Sequence, residues 1–325
     1  MTQRRRPHPA LLFGLLIIFA CEALLFTEVY LSKRGPLHTH AAIQLLKEEV
    51  PAATPLWRVA RWVAVNMTAL VWVGYLLFLH GALSMQRTGS PVRRRPHHFF
   101  LLCLASIVIW CLFDWINFYS IKAWRYIGMP ERHSQRMLGY FLAFATIVPG
   151  MLMSGQFLMN FGLFDWAFFR SLESKLGRSK SKILVASLLV GLAMFLWPLL
   201  HPDPVTNLTL WTSLVFLLDP INYWLGRPSM FRDWGNGNFG RTLGAFAGGL
   251  LCGFLWEFWN YWALTKWTYH LPFLGWTEQY KYFEMPVLGL LGFVPFGLAC
   301  WIIWQTMRIP LDGLAEALPD DRTLL

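Results

Sequence analysis

Two carboxylate–amide pairs dominate the chemistry this chain can offer: Asp114 with Asn117, and Glu257 with Asn260. Within each pair the residues stand three apart, so on a helix they share one face. A carboxyl in apolar surroundings is held neutral and can donate a proton, and a neighbouring amide can orient it; together they suit general acid–base chemistry. The alternative is architectural, with each pair bonded across packed helices or matched to Lys122, Arg125 or Lys266. Each pair opens a longer phrase that the chain writes twice, FDWINFYSIKAWRYIGMP at 113–130 and WEFWNYWALTKWTYHLP at 256–272. Asp114, Asn117, Trp124 and Tyr126 return 143 positions later as Glu257, Asn260, Trp267 and Tyr269.

Further acids rank second. Glu22 lies inside the first apolar run, where a charged Glu costs about 2.5 kcal/mol or more, so it is expected to be neutral or paired. Glu28, about two turns on, is expected to reach interfacial water. Glu284 opens the last apolar run, a position that the helix dipole favours without any function. His270 follows the second phrase alone. The five cysteines lie in apolar segments without a CxxC pair, and no HExxH or HxxxH occurs, so neither metal nor cofactor is expected. GNGNFG at 235–240 matches G-x-G-x-x-G but lies between apolar runs rather than after a strand, which excludes the dinucleotide reading. With Arg232 and Arg241 it is read as an ordinary loop or a seat for a lipid phosphate or other anion. Asp219 and Asn222 are read as a helix-end cap.

The elements that must position these residues are membrane helices. The chain is 56% hydrophobic and 14% charged, with mean hydropathy +0.42, against about 25% charged residues in soluble domains. Apolar runs near the roughly 20 residues that span a bilayer occur at 10–31, 58–83, 99–121, 137–164, 183–200, 208–225, 242–264 and 286–307. No ten-residue alternation supports a barrel. The expectation is an all-α, polytopic transmembrane bundle of about eight helices, one integral-membrane domain over 1–325. Its first helix is read as uncleaved, because Glu22 and Glu28 interrupt what would be a signal peptide's apolar stretch. Duplicated hairpins are expected at about 99–164 and 242–307.

The net charge is +10, but the basic residues sit in short loops, which argues against nucleic acid. With the N-terminus inside, 17 of the 28 Lys and Arg fall on the inner side, which predicts a cell-membrane protein with both termini cytoplasmic and both phrases facing outward.

The repeated phrase resembles the integral-membrane lycopene cyclases built from two small homologous units, whose helix ends carry W-D…G-x-W-x-Y. The matching residues are Trp256-Glu257 with Lys266-Trp267-Thr268-Tyr269, and Phe113-Asp114 with Ala123-Trp124-Arg125-Tyr126. The Gly before the Trp is missing. The family's downstream P-x-E-E-x-x-F-F survives only as Glu284-Met285-Pro286. The resemblance implies a helical membrane fold and proton-initiated chemistry on a polyene. The family's acid resides in the glutamate pair that this chain lacks.

The residues and the resemblance together lead to an enzyme acting on an apolar lipid, isoprenoid or carotenoid-like substrate. Asp114 and Glu257 would be acid and base or cation stabiliser, Asn117 and Asn260 would orient them, and Glu22 and Glu284 would be secondary candidates. Indoles would stabilise positive charge, with Trp110, Trp115, Trp124, Trp256, Trp259, Trp262 and Trp267 nearest in sequence. Beyond the bilayer itself, the alternatives are a proton- or cation-coupled transporter and a non-catalytic subunit that assembles with another membrane protein.

Overall fold

A computed structural model describes residues 7–48, 54–166, 179–201, 209–312 and 323–325. The basic residues Arg4–Arg6, Arg170, Lys175, Arg178 and Arg322, which entered the orientation argument, lie outside these. The long helices are α1 (Pro9–Leu31), α2 (His40–Glu48), α3 (Pro55–Ser84), α4 (Pro96–Ile116), α5 (His133–Ala145), α6 (Ile147–Met159), α7 (Lys180–Leu200) and α8 (Thr209–Trp224). They continue with the short α9 (Met230–Gly235), then α10 (Gly240–Tyr261) and α11 (Phe293–Met307). Two short antiparallel ribbons interrupt them: β1 (Trp124–Ile127) with β2 (Lys266–Tyr269), and β3 (Lys281–Tyr282) with β4 (Met285–Pro286).

Seven helical stretches among the described residues are long and apolar enough to cross a membrane, where about eight were expected. The difference is the sixth run. Of that run the described part is α8, Thr209–Trp224. An odd number of crossings does not return a chain to its starting side. The expectation of two cytoplasmic termini therefore does not follow from these spans.

The residues fall into two compact units. The first unites Met1–Cys111, Lys122–Gly150 and Gly253–Val287. In it α1 packs along α3. Both helices begin with Pro at the first turn after a capping side chain, His8 for α1 and Thr54 for α3. Their close approach depends on small residues. A Cβ on Gly14 would fall 2.3 Å from the Phe78 amide nitrogen, and one on Gly81 would fall 2.2 Å from that of Leu11.

Residues read from the sequence as helix ends and loops become the β1–β2 ribbon. Trp124 faces Tyr269, Arg125 faces Thr268, Tyr126 faces Trp267 and Ile127 faces Lys266. The Trp-x-Tyr of one phrase thus pairs head to tail with the Trp-x-Tyr of the other. β-branched and aromatic residues suit a half-buried pleat, and cross-strand Trp–Tyr neighbours stabilise it. The ribbon ends at Gly128, whose φ of +67° and tight fit beneath the Leu264 carbonyl exclude any side chain.

The second unit unites Leu112–Ile121, Met151–Cys252 and Leu288–Leu325. Here α8 packs against α7 and α11. Asp219 and Asn222 do more than end α8. Asp219 accepts from Ser229 Oγ (2.9 Å) and from the Met230 and Phe231 amides (2.8 and 2.9 Å), thereby capping the following helix, α9. Asn222 donates to the Ile302 carbonyl (3.1 Å) and accepts from Thr306 (3.0 Å), which ties α8 to α11. The anion reading of the 235–240 loop loses a ligand: Arg241 is bound by both oxygens of Asp233, with Nε to Oδ2 at 2.7 Å. Asn238 Oδ1 accepts the Gly240 amide (2.9 Å), so the loop closes on itself.

Candidate functional site

The last two turns of α10 carry Glu257, Asn260 and Tyr261 on one face, as the i, i+3, i+4 spacing requires. Asn260 is fully buried, and its amide does not orient Glu257 as the sequence suggested. Nδ2 donates to the Trp267 carbonyl (2.8 Å), and Oδ1 accepts the Trp267 amide (3.0 Å). This double bond clamps β2 to the helix end and so sets the place of Tyr269. From there the Tyr269 hydroxyl donates to Glu257 Oε1 (2.9 Å), while the Trp267 indole donates to the Tyr269 oxygen (2.7 Å). Burial and the neighbouring Glu257 hold the Tyr269 phenol well above its ordinary pKa, so it remains a neutral donor. The orienting group for Glu257 is therefore Tyr269.

Glu257 itself has no exposed surface, and its Oε2 has no hydrogen-bond partner. Around it stands a cluster of rings. Trp256 meets Trp72 (5.6 Å between centroids), Trp110 (5.5 Å) and Trp267 (5.9 Å). Trp259 meets Trp72 (5.2 Å) and Tyr75 (5.8 Å), and Trp110 meets Trp124 (5.9 Å). Trp72, on α3, belongs to this cluster although nothing in the repeated phrase points to it. Trp115 does not: it is 56% exposed and belongs to the second unit. Trp262 packs instead on Phe26 and Tyr261.

Glu284 is not at a helix N-terminus. It precedes β4, is buried, and places Oε1 2.5 Å from Lys266 Nζ and 2.8 Å from His38 Nδ1. Its position reflects an ion pair rather than a helix dipole. Lys266 also donates to the Tyr261 carbonyl (2.6 Å) and lies over the Tyr261 ring. Burial lowers the Lys266 pKa below the ordinary lysine value, while Glu284 and Glu257 oppose that shift and Arg34 adds to it.

Glu28 does not reach interfacial water. It is fully buried, and Arg34 (2.6 Å), Arg61 (3.0 Å) and Ser32 (3.0 Å) occupy its oxygens. Arg34 continues to the Trp262 carbonyl (2.9 Å). Glu22 buries Oε1 without a hydrogen-bond partner, and the Trp259 indole lies within reach of its carboxyl.

The first unit therefore brings together Glu257, Asn260, Glu22 and Glu284 of the six candidates. Asp114 and Asn117 belong to the second unit, with Asn117 buried and Asp114 half-buried. His270 is an exposed partner of Glu278 (3.2 Å). Sequence reasoning missed His38, Arg34, Arg61 and the donor role of Tyr269. Arg34 carried a readable signal, six residues after Glu28 and just past the helix end, whereas His38 meets Glu284 across 246 positions.

Among the described residues no group of His, Cys, Asp and Glu has the makings of a metal site. Compared with family models, characterised proteins and solved structures, the chain matches none. The resemblance to two-unit lycopene cyclases accordingly rests on the two phrases alone.

Proposed function

We propose that this polytopic membrane protein is an enzyme that protonates an apolar, isoprenoid or carotenoid-like substrate, with Glu257 as the general acid. One observation carries the reading: a carboxyl without solvent exposure, steadied at Oε1 by Tyr269, with no hydrogen-bond partner at Oε2 and the Trp267 indole close to the group. In its neutral form such a carboxyl has a proton to give at Oε2, and Tyr269 stabilises the carboxylate left behind. Indole faces stabilise a carbocation, and a dry setting keeps water from quenching it. Glu22, beside Trp259, is the secondary acid of the same unit, and Asp114 is its counterpart in the other copy. The twofold register of β1 with β2 supports descent of the two phrases from one duplicated hairpin.

The test is expression in a host that accumulates acyclic polyenes, followed by mass and absorption analysis of extracted lipids. Wild type should convert the polyene, and Glu257→Gln should not, at equal amounts of folded protein. Turnover retained by Glu257→Gln removes the residue as the acid. A proton-coupled transporter would draw on the same carboxylate, and the path of ionisable groups inward from exposed His38 favours it as the second reading. Proton-dependent uptake without product formation would select that alternative.

A further inference from the structure

The polar residues around Glu257 form a directional series. His38 lies in the connection between α1 and α2, with its side chain 52% exposed, and contacts Glu284 Oε1 at 2.8 Å. The same oxygen meets Lys266 Nζ at 2.5 Å, where exposure has fallen to 5% for Glu284 and zero for Lys266. Lys266 and Glu284 both lie close enough to Glu257 for their charges to be felt there. Ionisable groups in direct contact thus run from a water-facing imidazole to the buried Lys266 ammonium, and the charges of Lys266 and Glu284 act on the unexposed Glu257 carboxyl. If the Lys266–Glu284 pair served only to join β2 to β4, it would not need a histidine at its outer end. His38 also rests against the Tyr261 ring (5.7 Å), the residue whose carbonyl receives Lys266, so the imidazole is held in register with the pair.

We infer that His38, Glu284 and Lys266 form the route by which protons pass between water and the Glu257 carboxyl. The inference rests on Glu257 being the proton donor proposed above. The steps balance. After Glu257 has given up its proton, the Lys266 ammonium protonates the carboxylate and becomes a neutral amine. Protonated His38 passes its proton to Glu284, which passes it to the amine, and water reprotonates His38. The route begins and ends with His38 and Lys266 charged, Glu284 ionised and Glu257 neutral, so no net charge is left buried. The positive charge of Arg34 favours the step in which the ammonium loses its proton. Its own guanidinium is held by Glu28 and so takes no part in the transfer.

The test needs no substrate. Infrared spectra of the full chain in lipid nanodiscs are recorded during transfer from H2O to D2O, and the carboxylic C=O band absent from Glu257→Gln is assigned to Glu257. In His38→Ala the deuterium exchange of that band should slow about tenfold or more, and added imidazole should restore it. His38→Gln retains a hydrogen-bond donor for Glu284 but cannot relay a proton, and it should slow exchange equally; a structural role would leave that variant fast. Exchange at the wild-type rate in both His38 variants overturns the route while leaving Glu257 as the acid. If Glu257→Gln removes no carboxylic band, the acid assignment fails, and the route with it.

Discussion

Glu28 and Glu257 are both wholly buried glutamates in one unit, yet they are served in opposite ways. Glu28 has two guanidiniums and a hydroxyl on its oxygens, whereas Glu257 has one phenol and an oxygen left over. A buried carboxylate is tolerable when cations and donors replace its hydration. Glu28 meets that condition as an ion, and its work is to join α1, the following connection and α3. Glu257 does not meet it as an ion, which leaves the neutral acid as the form this setting accommodates. Burial alone therefore does not distinguish the two carboxyls; the completeness of their hydrogen bonding does.

The largest effect that would break this contrast is catalytic. Glu257→Gln preserves shape and should lower product formation by about 10²-fold or more, with little change in thermal unfolding. Equal losses of activity and stability would place Glu257 beside Glu28 as a structural residue. Next comes Glu28→Ala, which strands the buried Arg34 guanidinium and the partly exposed one of Arg61 and should cost about 3–5 kcal/mol, read as an early unfolding transition in detergent. Asn260→Ala removes both bonds to the Trp267 backbone and should cost about 1–3 kcal/mol. Hydrogen exchange should localise that loss to β1 and β2.

Tyr269→Phe deletes two hydrogen bonds, to Glu257 and from the Trp267 indole, each worth about 0.5–1.5 kcal/mol, and should reduce turnover less than Glu257→Gln does. The same variant has a signature in pH. The Tyr269 phenol ionises in the unfolded chain near 10, but burial and Glu257 keep it protonated in the fold. Between those two values the native state holds the extra proton, so stability falls as pH rises above 10. Tyr269→Phe should flatten that part of the alkaline decline, and an unchanged slope would show that the phenol does not contribute to it.

Much of this was legible from residue order, and the remainder failed for identifiable reasons. Hydrophobic length located the spans, because a bilayer imposes a length on every helix that crosses it. Seven of the eight expected runs are long apolar helices among the described residues; the sixth run is represented by α8, which packs against α7 and α11. The recurrence of Glu257, Asn260, Trp267 and Tyr269 marked residues that do meet at the end of α10, since residue types at fixed spacing survive in a one-dimensional reading. What the recurrence concealed was pairing. Nothing local in Trp124-Arg125-Tyr126 reveals that its partner is the other copy, nor that the Asn260 amide is turned toward backbone rather than toward Glu257. Partnerships such as His38 with Glu284 depend on chain crossings for which sequence distance is no guide.

The β1–β2 register also has a consequence in time. The first strand leaves the ribosome 142 residues before the second. At about 5–20 residues per second, that is a wait of roughly 7–30 seconds. Throughout that interval β1 has an open edge, and the Asn260 clamp on β2 does not yet exist. The contact of Tyr269 with Glu257 is accordingly among the later ones to form, and nascent chains halted before residue 269 should be inserted in the membrane yet lack it.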